Sequence, residues 1–323
     1  MSNTDYLFAT GKIRALENGL LDASVMENLM STQNVDEAVR ILSGHGWPME
    51  NAANYDTALK ALEKEAFTQF TDAIKDSRYL ALATVFNDYH NLKAGLKALV
   101  SASDSLTEGF IEPTRLDKAE LSEALRDKQF EFLPDDMPKD AAAAYEKLTS
   151  TLDGQLCDLL LDRKALEAFI KVSESTENAW IMEYAQKKAA VADLSVALRA
   201  SRQRLPEDTV LSALAPCDGI HTEELAKAAA KGTEDALRYL KSTPYEALAN
   251  AFSESHIKFE KDCDDYLTEH LKKAAFVSFG PEPVVAYYFA RLLEIRVVRM
   301  ILVELRVGVL KDVMKERMRA LYV

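Results

Sequence analysis

Few side chains in this 323-residue chain are spaced in a way that suits chemistry. The clearest group lies in SHIKFEKDCDDYLTEH, where His256, Glu260 and Cys263 share one side of a predicted helix at a spacing compatible with a metal ion. His270 lies about 10 Å further along the helix axis than Cys263 and could not share that ion. Aromatic residues populate the same side, so a packed face is the better interpretation. A helical metalloenzyme is the weakest of three functional hypotheses.

Other catalytic arrangements are not indicated. Gly11-Lys12 has no glycine five residues earlier and is followed by Ile, so it does not form a phosphate-binding loop. The remaining histidines are scattered, with no Ser-His-Asp arrangement. The three cysteines form no CxxC pair, which argues against a structural zinc site or a disulfide framework and fits a reducing cytosolic compartment. We therefore predict a non-catalytic chain without a cofactor.

Charged residues interrupt the apolar segment GPEPVVAYYFARLLEIRVVRMILVELRVG, residues 280–308. At 100° per residue, Arg291, Arg299 and Arg306 fall within about 80° of one another on a helix. Because unpaired buried charge is costly, these side chains must form ion pairs within a helical bundle or line a lumen or partner surface. Glu294 could pair with Arg291 three residues earlier.

The last residues, KDVMKERMRALYV, mix basic and acidic side chains. The basic ones could complement the dipole of a final helix, or they could contact a partner. Together with the preceding segment they define the candidate partner-interface or lumen residues: Arg291, Glu294, Arg296, Arg299, Arg317 and Arg319.

The elements that must position these residues are helical. Gly and Pro are scarce, and Ala, Leu, Glu and Lys are abundant. Apolar residues recur with a period near 3.6 along most of the chain, and no segment alternates convincingly as a strand would. The pattern runs through AYEKLTSTLDGQLCDLLLDRKALEAFIK and PYEALANAFSESHIKFEKDCDDYLTEHLKKAAF. Asn34 and Glu37 predict a capping box, and the last long helix should begin near Pro281 or Pro283. The fold class is all-α.

A pattern of about one hundred residues recurs three times. Tyr followed by an acid opens a predicted helix at Tyr55, Tyr145 and Tyr245. A second alignment places DYHNLKAGLK, AVADLSVALR and EIRVVRMILV in register, so that Asn91, Asp193 and Val297 coincide. A unit of this size can bury a small core of its own. We predict three similar helical lobes, residues 1–112, 113–216 and 217–323, whose terminal helices could pack together.

Net charge and hydropathy restrict the partners. The net charge of −13 makes nucleic acid an improbable partner, because phosphate binding needs a concentrated basic face. The start of the chain lacks the features of a signal peptide. Charge-free stretches reach only about nine residues, whereas a spanning helix needs about twenty apolar ones, so we expect no insertion into a membrane.

The C-terminal third resembles the C subunit of bacterial and archaeal V/A-type rotary ATPases (ATP synthases), whose eukaryotic counterpart is the d subunit of the V-ATPase. The family typically has a Gly-x-Glu-Pro turn, an Ala-Tyr helix, a Glu-Ile-basic stretch and a basic tail that ends in Tyr-Val. The residues that match are Gly280, Glu282, Pro283, Ala286, Tyr287, Glu294, Ile295, Arg296, Arg299, Glu316, Arg317, Arg319, Tyr322 and Val323.

Earlier segments extend this resemblance over the whole chain. KIRALENGLL, VDEAVRILSGHGWP and DYHNLKAGLK are similar to the family's successive helices, with Trp47 where Tyr is usual. Asp193 and Val297 depart from the Asn that the family's long helix carries. Glu304-Leu305 replaces the common Gly-Lys.

The resemblance implies a funnel-like, pseudo-threefold, all-helical rotor subunit with no chemistry of its own. Its partners would be the central-stalk shaft subunits and the membrane proteolipid ring. It would lie in the cytoplasm, peripherally on the cytoplasmic face of the membrane. The alternative is a freestanding cytosolic helical scaffold that binds another protein.

Overall fold

The structure, a computed structural model, describes residues 6–51 and 53–323. Within these residues the ordered backbone is helical and contains no β-strand; one isolated bridge joins Cys217 and Ile220. The all-α prediction is confirmed. The α-helices of the described residues are α1 Leu7–Glu17, α2 Ala23–Ser31, α3 Val35–Gly44, α4 Tyr55–Ala73, α5 Ser77–Val100, α6 Lys118–Arg126, α7 Met137–Thr151, α8 Gly154–Ser175, α9 Ala179–Gln203, α10 Glu207–Ala213, α11 Thr222–Lys231, α12 Thr233–Leu240, α13 Glu246–Glu254, α14 His256–Lys272, α15 Glu282–Val307 and α16 Lys311–Glu316.

Local sequence explains several helix ends. Asn34 is the N-cap of α3, and its side chain accepts a hydrogen bond from the backbone N–H of Glu37 at 3.0 Å. The Glu37 carboxylate accepts from the N–H of Gln33, one residue before the N-cap, and not from that of Asn34. The predicted N-cap is therefore confirmed, but the reciprocal bond that would complete a capping box goes to the neighbouring residue. Pro281 is the N-cap of α15, as predicted. Gly308 ends α15 with φ of 74°, a left-handed conformation that glycine adopts without a Cβ clash.

Two stretches whose apolar period continues without a break in the sequence each form two helices in the structure, α7 and α8 in one case and α13 and α14 in the other. Leu152 adopts a left-handed φ of 53° after α7, and the Asp153 carboxylate caps α8 by accepting from the N–H of Gln155 at 2.8 Å. Ser255 separates α13 from α14, and its hydroxyl accepts from the N–H of Lys258. Short polar side chains bind the freed backbone groups in both places and favour a new helix start. Tyr145 lies inside α7, so the prediction that it opens a helix was wrong.

The chain forms two compact units. The first contains the described residues of 1–75 and 248–323, and the second contains residues 76–247. The N- and C-terminal segments thus belong to the same unit. The three lobes, with boundaries after residues 112 and 216, stay a prediction, as does their funnel-like arrangement.

The core of the first unit lies where α15 packs against α4. The rings of Phe70 and Tyr288 pack in a tilted arrangement near one end of the helix pair, with centroids 4.8 Å apart. The Arg306 guanidinium lies over the Tyr55 ring near the other end, at 4.6 Å, so the two helices are antiparallel. Apolar side chains of α2 and α3 complete this core. Burying one large side chain of this kind stabilises the fold by roughly 1.5–3 kcal/mol.

The second unit is built on α5, α8 and α9. Phe169 of α8 contacts Phe86 of α5 and Tyr184 of α9, with centroid separations of 4.9 Å and 6.4 Å. Helix α6 approaches α5 closely at Gly95, where an added Cβ would lie 2.3 Å from the Leu125 Cδ1 atom. An alanine at this position would therefore force the buried Leu125 side chain, or α6 with it, to shift.

Candidate functional site

The candidate residues of α15 begin with a buried ion pair. The Arg291 guanidinium donates to one oxygen of the Glu294 carboxylate, as the three-residue spacing predicted. The other oxygen accepts from the backbone N–H of Leu21, which follows α1. Arg291 also lies over the ring of Trp47 at 4.7 Å. This cluster connects the α1–α2 turn and the segment that follows α3 to α15.

Burial dominates the electrostatics of that cluster. Glu294 is almost fully enclosed, and removal from water raises the pKa of its carboxyl above the ordinary value, although Arg291 and the Leu21 N–H favour the charged form. A buried carboxylate of this kind depends on its cation, and removing one partner leaves an uncompensated charge.

The next two arginines of α15 pair with other helices of the same unit. Arg299 donates to Glu63 of α4 at 2.9 Å, and Arg296 donates to Asp264 of α14 at 2.7 Å. The Arg296 side chain is 61% exposed, and that of Arg299 is 35% exposed. These pairs fix α15 laterally while leaving part of each guanidinium open to a partner.

The two tail arginines are also paired. Arg317 donates to Glu304 at 2.7 Å, and Arg319 donates to Asp264 at 3.1 Å, so Arg296 and Arg319 share one carboxylate. The Arg319 side chain is 13% exposed and that of Arg317 is 40% exposed. Glu304 is a departure from the family pattern, and here it anchors the tail.

The segment after α16 is held by further polar contacts. The Ala320 N–H donates to the Asp265 carboxylate, and the Tyr322 hydroxyl donates to Glu17 of α1 at 2.8 Å. Burial and the neighbouring Glu17 raise the pKa of Tyr322, so this hydroxyl stays protonated and keeps its donor role.

Each of the six candidate residues therefore takes part in an ion pair within the first unit. The structure brings Arg296 and Arg319 together on one carboxylate, and Arg291 with Glu294; Arg299 and Arg317 have separate partners. Of the two alternatives offered by the sequence, ion pairing within the helical bundle accounts for the contacts of these six residues. Their role in a partner interface or a lumen stays a prediction, and Arg296, Arg317 and Arg299 are the members with accessible surface.

The aligned residues Asn91 and Asp193 occupy similar surroundings in the second unit. Asn91 of α5 accepts from the N–H of Ile111 at 2.8 Å and donates to the carbonyl of the same residue at 2.9 Å. Asp193 of α9 accepts from the N–H of Ala215 at 2.9 Å. Both side chains are buried, and each holds a loop about twenty residues later in the chain. Unlike Asn91, an ionised Asp193 carboxylate cannot donate a hydrogen bond to a backbone carbonyl.

Asp193 is an unusual carboxyl. Burial raises its pKa to about 7, and hydrogen bonding to Ala215 and Cys217 offsets this only in part. The thiol of Cys217 lies 3.7 Å from the second carboxylate oxygen. No ion pair reaches Asp193 from any residue that the structure describes, so its charge is uncompensated at short range.

Sequence reasoning missed a second buried polar cluster in this unit. Arg115 donates to Asp88 at 2.7 Å and also pairs with Asp135. Tyr89 donates to Asp140 at 2.6 Å. The partners lie 20 to 51 residues apart, and no short-range spacing signals them.

The metal hypothesis finds little support in the geometry. His256 Nδ1 lies 3.5 Å from a Glu260 carboxylate oxygen, a separation at which the two side chains attract each other only when the imidazole is protonated. Cys263 is buried, and burial raises the pKa of its thiol to about 12. Within residues 6–51 and 53–323, no group of three His, Cys, Asp or Glu side chains could hold a metal ion.

Comparison with known proteins identifies the family. Residues 9–317 match the sequence model of the family described as ATP synthase (C/AC39) subunit. The chain belongs to this C/AC39 family. The C subunit of the V-type sodium ATPase of Enterococcus hirae is a relative with 21% identity over 318 residues, which cover 96% of this chain and 97% of that protein. The resemblance predicted from the C-terminal motifs is confirmed.

Among the described helices, none combines the length and the apolar character that crossing a bilayer requires.

Proposed function

We propose that this chain is a non-catalytic central-rotor subunit that joins the central shaft to the membrane proteolipid ring. In that position it would link ATP hydrolysis or synthesis to ion transport from the cytoplasmic face of the membrane. The observation that carries the proposal is the match to the C/AC39 family over residues 9–317, together with a similar V-type C subunit of nearly the same length.

The mechanical demands of such a position agree with the packing of α15. Moving one elementary charge through 100 mV is worth about 2.3 kcal/mol, so a coupling part must resist loads of several such steps. The buried apolar core shared by α15 and α4 supplies most of the resistance to sliding. The Arg299–Glu63 and Arg296–Asp264 pairs add smaller lateral contacts to α4 and α14. A close-packed helical core transmits strain with little yielding.

The environments of two buried cysteines agree with a mechanical role. Burial raises the pKa of Cys157 to about 11 and that of Cys263 to about 12, so both thiols stay protonated at neutral pH. A thiol acts as a nucleophile only as the thiolate.

Deletion of the gene tests the proposal. Membranes from the deletion strain should lose ATP-driven ion pumping, and the wild-type gene supplied in trans should restore it. Pumping that persists undiminished without this chain would refute the rotor role and favour the freestanding scaffold.

A double charge reversal tests the tail. Arg317→Glu with Arg319→Glu should uncouple ATP hydrolysis from pumping, because the tail loses its attachment to Glu304 and Asp264. A matched control reverses the exposed residues Lys227 and Lys241 in the second unit. If the variant assembles normally and still couples ATP hydrolysis to pumping as the wild type does, Arg317 and Arg319 take no part in coupling.

A further inference from the structure

The surroundings of Asp193 suit a neutral side chain. Asp193 is fully buried; the Ala215 N–H donates to one of its carboxylate oxygens at 2.9 Å, and the Cys217 thiol lies 3.7 Å from the other. The aligned Asn91 of α5 makes the equivalent contact with an amide group, which accepts from the N–H of Ile111 at 2.8 Å. A protonated carboxyl resembles an amide in size and offers, like it, both an acceptor oxygen and a donor. Asp193 therefore matches the hydrogen-bonding character of Asn91 only while it holds a proton.

The charges nearest in the fold do not compensate an ionised Asp193. Within one helical turn on either side, residues 189–197, α9 carries no other charged side chain. From α8, the charges of Arg163 and Glu167 act on Asp193 in opposite directions, and these two side chains pair with each other at 2.6 Å. On the loop after α10, Asp218 adds a further negative charge.

The other helices that pack against α9 bring no cation to Asp193 either. These are α10, α11 and α12, and their charged side chains are exposed, apart from the partly exposed Asp235 of α12. Asp235 pairs with Arg238 at 2.7 Å. The hydroxyl of Tyr239, the titratable group of α12 that remains, is bound to the backbone of His221. An ionised Asp193 is thus a buried charge without an ion-pair partner among the described residues, which is costly.

The segment that covers Asp193 is attached independently of its neighbours. Residues 214–217, here called the latch, connect the end of α10 to a stretch that is fixed separately. Gln186 of α9 accepts from the Asp218 N–H at 3.0 Å, and the Tyr245 hydroxyl donates to the Asp218 carbonyl at 3.0 Å. Pro216 is exposed, so the latch borders solvent. Local opening of these four residues would therefore hydrate the carboxyl while the flanking attachments remain.

We infer that Asp193 is a proton-binding site and that the latch closes over it most tightly when the proton is bound. Binding forms an O–H bond at a carboxylate oxygen, removes the buried charge and needs no other reactant. The site would make a surface segment of the second unit respond to the pH of the surrounding solution. It does not depend on the rotor role.

The direction of the response follows from the two states of the latch. Burial raises the pKa of Asp193 to about 7 when the latch is closed, whereas the hydrated carboxyl of the open state has its ordinary value of 3.8. The closed state therefore binds the proton more tightly. Stabilisation of the closed latch is complete below about pH 4 and is lost as the pH rises to about 7. Opening should become about fiftyfold more frequent between pH 5 and pH 7 and then level off.

Hydrogen exchange of the Ala215 amide in the full chain measures this opening, because Asp193 accepts the hydrogen bond of that amide. After correction for the intrinsic pH dependence of exchange, protection of the Ala215 amide in the wild type should fall about fiftyfold from pH 5 to pH 7. Asp193→Asn should give protection that does not change with pH. The Ile111 amide, bound by Asn91 in the same protein, is the internal control and should also stay constant.

Two further measurements complete the test. Nuclear magnetic resonance of the carboxyl carbons in 13C-labelled aspartate should show one group that titrates near pH 7 and is missing from Asp193→Asn. Asn91→Asp should transfer the behaviour to the first position, so that protection of the Ile111 amide then falls as the pH rises.

Each outcome decides the inference. A fall in protection at Ala215 with a constant Ile111 supports it, even if Asp193→Asn does not fold. Protection of Ala215 that is independent of pH in the wild type, or that falls equally in Asp193→Asn, overturns it. A parallel fall at Ile111 in the wild type shows a change of the whole unit and overturns the latch. An Asp193 carboxyl that titrates near pH 4 overturns the proton site, and none of these results bears on the rotor role.

Discussion

Replacing Asp193 by Asn should stabilise the protein, and increasingly so as the pH rises. Asp193 is fully buried in α9, and its pKa is about 7 in the fold against an ordinary 3.8. The folded state therefore binds the proton more tightly than the unfolded chain. The stabilising contribution of the protonated carboxyl is complete below about pH 4 and is lost as the pH rises to about 7.

The size of the effect follows from that difference in pKa. Each pH unit between the two values changes the free energy of unfolding by about 1.4 kcal/mol, so the full cost of the ionised carboxyl above pH 7 is about 4 kcal/mol. Asn keeps an acceptor for the Ala215 N–H and gains a donor, as Asn91 shows in α5. The advantage of Asp193→Asn over the wild type should grow by about 3 kcal/mol between pH 5 and pH 8.

Urea denaturation followed by circular dichroism at pH 5, 6, 7 and 8 measures this advantage. The exposed Asp104→Asn change is the matched control and should give a constant difference across the series. Asn91→Asp is the converse variant and should lose stability as the pH rises. An Asp193→Asn variant that is less stable than the wild type by the same amount at every pH would show that the ionised carboxylate is the favoured form, and would refute the reasoning.

Two further pairs of variants test packing and charge. Arg291→Ala should reduce the free energy of unfolding by about 3–5 kcal/mol, because it leaves the buried Glu294 carboxylate without its cation. Arg296→Ala breaks an exposed ion pair and should reduce that free energy by less than about 1 kcal/mol. Equal losses of the two variants in urea titrations would contradict the burial argument. Gly95→Ala should cost about 1–3 kcal/mol because its Cβ would meet Leu125, while Gly44→Ala has open space and should be neutral or stabilising in thermal melts. Gly95→Ala without any loss would mean that α6 can move away from α5.

The helices were predictable because their signals are local. Apolar residues at a period of 3.6 identify a helix without knowledge of its partner, and Asn34 and Pro281 mark starts that the structure confirms. The ordered motifs that end in the tail identified the family for the same reason, since they lie along the chain. The breaks at Leu152 and Ser255 were harder to predict, because the apolar pattern continues across them and only short polar caps reveal them.

Partners of the charged residues were predictable only at short spacing. The Arg291–Glu294 pair follows from three residues along one helix. By contrast, Arg299 meets Glu63 across 236 residues, and Arg319 meets Asp264 across 55. No periodicity links such positions, so the sequence left open whether these arginines form ion pairs or face a lumen.

The sequence by itself determined an all-α chain of the V/A-type C-subunit family, with charged residues along its last long helix. Tertiary structure alone decided which carboxylate each arginine meets, and that the described N- and C-terminal segments join one unit. It also decided that Asp193 is enclosed with no ion pair from any residue that the structure describes. The physical reason is distance along the chain: helix formation depends on residues within one or two turns, whereas burial and charge pairing depend on which helices pack together.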